Sequence, residues 1–396
     1  MTTKRALQQA VMIVAAWLLL VQTGTAGTAE QYVDVHVHLR GTTKSGMLGN
    51  TGKGKQMSKP MQKRPSRRAM RSPSGRNPRA SGQLGADDSQ EANLQTATAN
   101  MIKKMDRYGV QHALVVVVPG PNSNEDEYAS MRKVVARHRD RLKLMAGGAL
   151  LSPYLQNMAP EEVTDADRAR FRKIATQVLR DGAVGFGEMI SYHLSMAHHH
   201  SFQYAPPDHP HFLLLADIAA EYNAPVDLHM EAIVKRRPMP DNLRRASAKN
   251  PNTLEPTIPA FERLLAHNRK AKIVWQHIGW DNTGDMTATL IDRLMSDHPN
   301  LYIALRVESR TQQVGNGAAM PNRLVDQKGT LKPEWLAVIK KFSDRITIGS
   351  DEFFFPIETK RPNQSFAETW SLLDQLPQQL AQKLGSENPR RIYNLK

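Results

Sequence analysis

Residues 33–39 read VDVHVHL. Val33, Val35, Val37 and Leu39 alternate with Asp34, His36 and His38, which is the period of a β-strand. That alternation predicts His36 and His38 on one side of the strand. An ordinary half-exposed strand carries Thr, Lys or Glu there, so two imidazoles aimed the same way need a reason. Beyond residue 90 apolar strand patterns recur at 110–118, 142–150, 183–189, 225–230, 272–278, 300–308 and 345–352. Helical patterns separate them, at 92–108, 125–138, 165–180, 210–222, 257–268, 286–297 and 333–343, and a helical tail spans roughly 365–393. Apolar strands alternating with helices indicate a parallel sheet. With VDVHVHL as the first, eight such strands predict an α/β fold of the (β/α)8 TIM-barrel type. A doubly wound open sheet is the competitor, but no Gly-rich phosphate loop follows the first strand.

The 396-residue chain does not begin with that barrel. Lys4 and Arg5 precede the apolar run AVMIVAAWLLLV at 10–21, and small residues follow to Ala29, the layout of a signal peptide over 1–29. Cleavage is expected after Ala26 or Ala29, giving an exported, periplasmic or secreted protein. The run is short for a membrane span, which disfavours an uncleaved anchor. The chain has no cysteine, so the exported fold relies on its core rather than on disulfides, and no lipid can be attached through a thiol. The formal net charge is +15. The 12 Lys and Arg residues between Arg40 and Ala86, with no Asp or Glu among them, together with Lys4 and Arg5, account for almost all of it. The barrel itself is nearly neutral, which argues against a specific nucleic-acid groove. The basic tract is rich in Gly, Pro and Ser and poor in large apolar residues, so a disordered insertion is expected within 40–90. It falls in the first βα loop, and a polyanion or cell-envelope polymer is the partner its charge suits.

In a barrel the C-terminal ends of the strands carry the chemistry. Those ends supply His36 and His38, then Glu188 in GFGEM, His229 in VDLHM, His277 in VWQHI and Asp351 in IGSD. Strands two and three end in Pro119 and in Ala149–Leu150, which offer no ligand. A single strand histidine is commonly a hydrogen-bonded core residue. Six imidazole and carboxylate groups buried at one end of a barrel are costly without a cation. A divalent metal removes that cost, and His with carboxylate suits zinc or manganese.

The order HxH, strand-end Glu, His, His and a final Asp resembles the amidohydrolase superfamily of metal-dependent barrel enzymes. The tail ENPRRIYNL at 387–395 resembles the closing helix of its amidohydrolase-related branch. The resemblance implies that His36, His38 and Asp351 hold a first metal. It also implies that His229 and His277 hold a second metal, or substrate when one ion is present. Many relatives place a carboxylated lysine where this chain has Glu188; a strand-end Glu bridges metals in other branches, so one or two ions remain open. The expected mechanism is a metal-activated water with Asp351 as general base and His277 or His229 at the developing oxyanion.

Around these residues, His193 and Tyr192, Trp280, Asp281, Glu231 and Arg306 are candidates for walling the pocket or gripping a small-molecule substrate. Arg306 suits a carboxylate or phosphate, or else a barrel ion pair. His198–His200 are expected to be solvated loop residues rather than an extra metal trap, and Glu352 with FFFP to form an apolar wall or simply to pack. The leading expectation is a hydrolase of an amide, ester or lactone bond. The alternatives are a decarboxylase or hydratase of the same family, a TatD-like nuclease or phosphoesterase, and a non-catalytic polyanion-binding protein.

Overall fold

A computed structural model describes residues 32–41, 80–117, 125–198, 200–308, 313–314, 318–357 and 365–395, with backbone alone at 80–89, at 313–319 and at 365. The expected signal peptide, the basic tract from 42 to 79 and Pro119 lie outside the described residues. No helix among the described residues is long and apolar enough to cross a membrane.

Parallel strands β1 (Tyr32–Leu39), β2 (Val110–Val116), β3 (Leu142–Gly147), β4 (Ala183–His193), β5 (Val226–Met230), β6 (Ile273–Ile278) and β7 (Leu301–Leu305) pair in chain order. The eighth position is filled by two short strands, β8 (Ile346–Ile348) and β9 (Glu352–Phe354). β8 pairs with β7 and β9 pairs with β1, so the sheet closes on itself as the expected (β/α)8 barrel. Helices α1 (Ala80–Arg107), α2 (Glu125–Arg137), α3 (Gly148–Gln156), α4 (Asp165–Arg180), α5 (Pro210–Glu221), α6 (Ile258–His267), α7 (Ala288–Asp297) and α8 (Pro333–Lys341) connect the strands. α4 begins with a reciprocal cap in which Thr164 and Asp167 satisfy each other's backbone N–H groups. A large apolar cluster fills the layer between strands and helices, with Trp275, Phe171 and Phe261 fully buried.

A second, smaller cluster gathers Val33 and Val35 of β1, Leu114 and Val116 of β2, Met145 of β3, Val274 of β6, Ala304 of β7 and the tail residues Ile392 and Tyr393. Strands on opposite sides of a barrel can share one cluster only inside it. The C-terminal tail therefore plugs the barrel floor beneath the strand ends. Lys272 donates to the Ile392 carbonyl at 2.9 Å, and Asn388 donates to the carbonyls of Ser343 and Ile346 at 2.6 and 2.7 Å, which clamps the tail in place.

Several sequence boundaries move. α1 starts at Ala80 rather than 92, so the end of the expected insertion carries helical backbone. Arg40 is not part of a free basic tract: its guanidinium lies over the Phe353 ring at 5.5 Å and 3.5 Å from Glu127 Oε1. β3 stops at Gly147, and Gly148–Leu150 open α3 instead of extending a strand. A Cβ on Gly148 would sit 2.3 Å from the Glu188 carbonyl oxygen, so only glycine lets the two backbones meet there. β4 runs on through His193, whose segment pairs with Gln203–Tyr204, so His193 is a strand residue and not a loop residue. The expected strand 345–352 is interrupted at Gly349–Asp351, where a Cβ on Gly349 would lie 3.0 Å from His36 Cβ.

The opening stretch is also not a simple alternation. β1 places Asp34 and Val37 opposite Ala113 and Val115, three steps against two, which is a bulge. Val33 and Val35 line the interior, whereas Val37 and Leu39 face the helices. Asp34 does not share the face of the histidines: its Oδ1 accepts from Ser350 N at 3.0 Å and His36 N at 3.1 Å, fastening β1 to the 349–351 link.

Candidate metal centre

All six predicted ligands converge at the C-terminal end of the barrel. His38 Nε2 lies 2.8 Å from Asp351 Oδ1 and 3.1 Å from His36 Nε2. His36 Nε2 is 3.8 Å from Asp351 Oδ1 and 3.9 Å from Glu188 Oε1. Glu188 Oε1 in turn faces His229 Nδ1 at 2.8 Å and His277 Nε2 at 2.9 Å. Three overlapping sets result: His36, His277 and Asp351; His36, His38 and Glu188; and Glu188, His229 and His277. Each set has its ligand atoms within 4.8 Å of one another. All but the half-buried His229 are buried.

Local backbone irregularities aim these side chains inward. Glu188 sits at a register shift between β4 and β5, beside Phe186 and Met189. His277 and Asp351 have φ of 65° and 51°, in the left-handed region that favours glycine. Such conformations cost of order 1–3 kcal/mol and collect at functional sites.

The donor set fits a divalent cation. His38 Nδ1 faces the Val116 carbonyl at 3.1 Å, so that nitrogen carries the proton. In neutral His38 the Nε2 lone pair then points at a carboxylate oxygen and at a second ring nitrogen, an arrangement a cation between them satisfies. Three of the six groups are held in the state a cation needs. Burial first, and then His277, hold His36 well below the usual imidazole range. Burial alone would raise Glu188, but His229, by its charge and hydrogen bond, and a further hydrogen bond from His277 hold it well below the usual carboxylate range. Asp351 is likewise held far down against its burial, chiefly by Arg306 and then by His277 and His38. A neutral His36 with ionised Glu188 and Asp351 are the states in which those three groups can hold a metal.

The remaining candidates divide. Arg306 follows β7 directly, ion-pairs with Asp351, contacts Glu308 Oε2 at 2.6 Å and lies over the Trp280 ring at 4.3 Å. It is thus engaged by the protein's own carboxylates, the ion-pair alternative of the sequence reading. The His193 ring is wedged between those of His229 and His200, at 4.8 and 4.6 Å, and its pKa is lowered to about 3 by burial and then by His229. His200 is therefore packed rather than solvated; His199 lies outside the described residues. Tyr192 packs on Phe202 and Tyr204. Asp281 accepts from Thr283 N, Gly284 N and Asn322 Nδ2 at 3.0, 2.9 and 2.7 Å, which makes it a turn-former instead of a pocket wall. Glu231 accepts from Asn282 at 2.7 Å and is raised to about 8 by burial. Glu352 pairs with Lys104 at 2.9 Å, while the Phe353 ring covers His38 at 4.3 Å.

Two residues escaped the sequence reading. Asp227 precedes His229 by two on β5 and so shares its face, a signal that alternation offered. Tyr393 gave no local signal, because its place depends on the tail folding beneath the barrel.

A family model described as amidohydrolase matches residues 33–395. No curated protein matches the chain. Similar solved structures include a probable 2-pyrone-4,6-dicarboxylic acid hydrolase from Acinetobacter baumannii with citric acid bound. It is 12% identical, with 92% of this chain and 99% of that one covered and a TM-score of 0.46. A 5-carboxyvanillate decarboxylase from Sphingomonas paucimobilis is 13% identical, with 81% and 88% covered and a TM-score of 0.42. A 2,6-dihydroxybenzoate decarboxylase from Rhizobium is 15% identical, with 74% and 87% covered and a TM-score of 0.42.

Proposed function

We propose that this chain, which belongs to the amidohydrolase family, is a metal-dependent hydrolase of an amide, ester or lactone bond in a small molecule. The observation that carries this reading is the facing of His38 Nε2 and Asp351 Oδ1 at 2.8 Å while His38 Nδ1 is held by the Val116 carbonyl. His36, His38 and Asp351 would hold one ion, and Glu188 with His229 and His277 offers a second position. A bound divalent cation supplies Lewis acidity and makes water acidic enough to act as a nucleophile near neutral pH.

The chain's own groups do the rest. Asp351 is ionised and can take a proton from the attacking water and hand it to the leaving group. Arg306 keeps Asp351 in that state and orients it. Glu188 Oε1 ties His229 and His277 to one point, which fixes both rings at the mouth of the site. The Phe353 ring covers His38 at 4.3 Å and keeps water from that side of it.

A second reading is decarboxylation of a carboxylated substrate. It is favoured by Arg40, whose guanidinium sits at the end of β1 with Nε unpartnered and one carboxylate contact at 3.5 Å, as a carboxylate clamp requires. Assays of metal-loaded enzyme on lactones and amides, with carbon dioxide release followed on aromatic carboxylates, separate the two. Chelator must abolish turnover and zinc or manganese restore it. Turnover indifferent to chelator would remove both readings. Export is inferred from the N-terminal layout; mature protein beginning at Gly27 or Glu30 is the expected N-terminal sequence.

A further inference from the structure

His36 must present Nε2 to the cluster, because that atom is the one facing His38, Asp351 and Glu188. Its proton then belongs on Nδ1. That nitrogen is fully buried and has no hydrogen-bond partner. The nearest carboxylate is Asp227, whose Oδ2 lies 3.9 Å away and is also buried without a partner. Two unsatisfied polar atoms of opposite need face each other, and a shift of about 1 Å joins them at hydrogen-bond distance. The other oxygen of Asp227 is anchored: Oδ1 accepts from the Tyr393 hydroxyl at 2.8 Å, and Gln276 Nε2 reaches the same hydroxyl at 3.4 Å. Tyr393 is fully buried in the interior cluster and belongs to the clamped tail.

We propose that Tyr393 and Asp227 are positioning residues forming a column from the barrel floor to the metal centre, in which Asp227 fixes His36 with its proton on Nδ1 and its Nε2 free for the ion. The inference rests on the metal-centre reading above. It makes the last residues of the chain part of the site, although they lie on the opposite side of the barrel from the strand ends. Partners of this kind orient a metal-bound histidine, and losing one commonly weakens metal affinity 10- to 100-fold.

The test is zinc affinity by chelator competition on the full-length wild type, Asp227→Asn and Tyr393→Phe. It is combined with ring-nitrogen ¹⁵N NMR of His36 in metal-free wild type. Asp227→Asn should bind zinc about 10- to 100-fold more weakly, and Tyr393→Phe should shift affinity the same way by less. The His36 ring should report the Nδ1-protonated form in the wild type and a mixture of forms in Asp227→Asn, a change that a merely structural role would not produce. Wild-type affinity in both variants, or an Nε2-protonated His36 in the wild type, overturns the proposal. Should Asp227→Asn fail to fold, the wild-type spectrum and Tyr393→Phe still decide. A wild type that binds no metal removes the underlying reading instead, and so the two failures are distinct.

Discussion

Arg306 and Asp351 form a buried ion pair at the centre of the site, and Glu308 holds the second face of the same guanidinium. Arg306 therefore neutralises two buried carboxylates at once. Arg306→Met removes that cation from beside both, and breaking a buried pair in this way costs about 3–5 kcal/mol. A bound cation offsets part of that cost at Asp351. The variant should lose more stability metal-free than metal-loaded, as read by denaturant melts of both forms. Equal losses in the two forms would show that Asp351 and the ion do not meet.

The same pair has a pH signature. Asp351 is held far below its ordinary 3.8, so its contribution to stability is fully present above the unfolded value and is lost only as pH falls below it. Asp351→Asn should flatten this acid limb while keeping the fold and measurable metal binding. Turnover should fall by about 10²–10⁴, the usual contribution of a general base. Full activity in that variant would move the proton-transfer role elsewhere.

His193 acts in the same direction, through a buried base instead of a paired acid. Its pKa is lowered from 6.5 to about 3 by burial and then by the neighbouring His229. Between those values the unfolded chain binds the proton and the folded chain does not, so stability falls as pH drops from 6.5 toward 3. Across pH 6.5 to 5 this amounts to roughly 2 kcal/mol, at 1.36 kcal/mol per unit. In His193→Gln the corresponding slope of stability on pH should be shallower by that amount, measured by denaturant titration at several pH values. An unchanged slope would mean that His193 titrates normally.

The candidate ligands were legible in the sequence because each sits where a short apolar strand ends, and alternation or a GSD-like turn marks that end. VDVHVHL brings His36 and His38 into the cluster even though its pattern is broken by a bulge, since the extra residue lies before Val37 and leaves the two together. Other features were not legible because they depend on contacts distant in sequence. The end of β3 is set by the approach of Gly148 to Glu188, and nothing in LMAGGAL announces that backbone meeting. Arg40 read as the first charge of a basic tract, whereas Phe353 and Glu127, far along the chain, fold it into the site. Arg306 was singled out as a substrate grip or a barrel ion pair, and only the fold shows Asp351 and Glu308 engaging it.

The basic tract makes a separate prediction, drawn from charge alone. Deleting 45–79 should leave hydrolysis of a small substrate intact while removing any salt-sensitive binding to polyanions such as heparin or anionic vesicles. Column elution and turnover of the deleted protein read both effects. Lost turnover would place the tract in the site.

The central claim is that His36, His38, Glu188, His229, His277 and Asp351 hold a metal. Elemental analysis of protein purified without added metal, compared with His38→Ala, tests it most directly. One or two equivalents of zinc or manganese per chain are expected in the wild type, with a clear loss in the variant. A wild type with no stoichiometric transition metal, unable to take one up from solution, would contradict it.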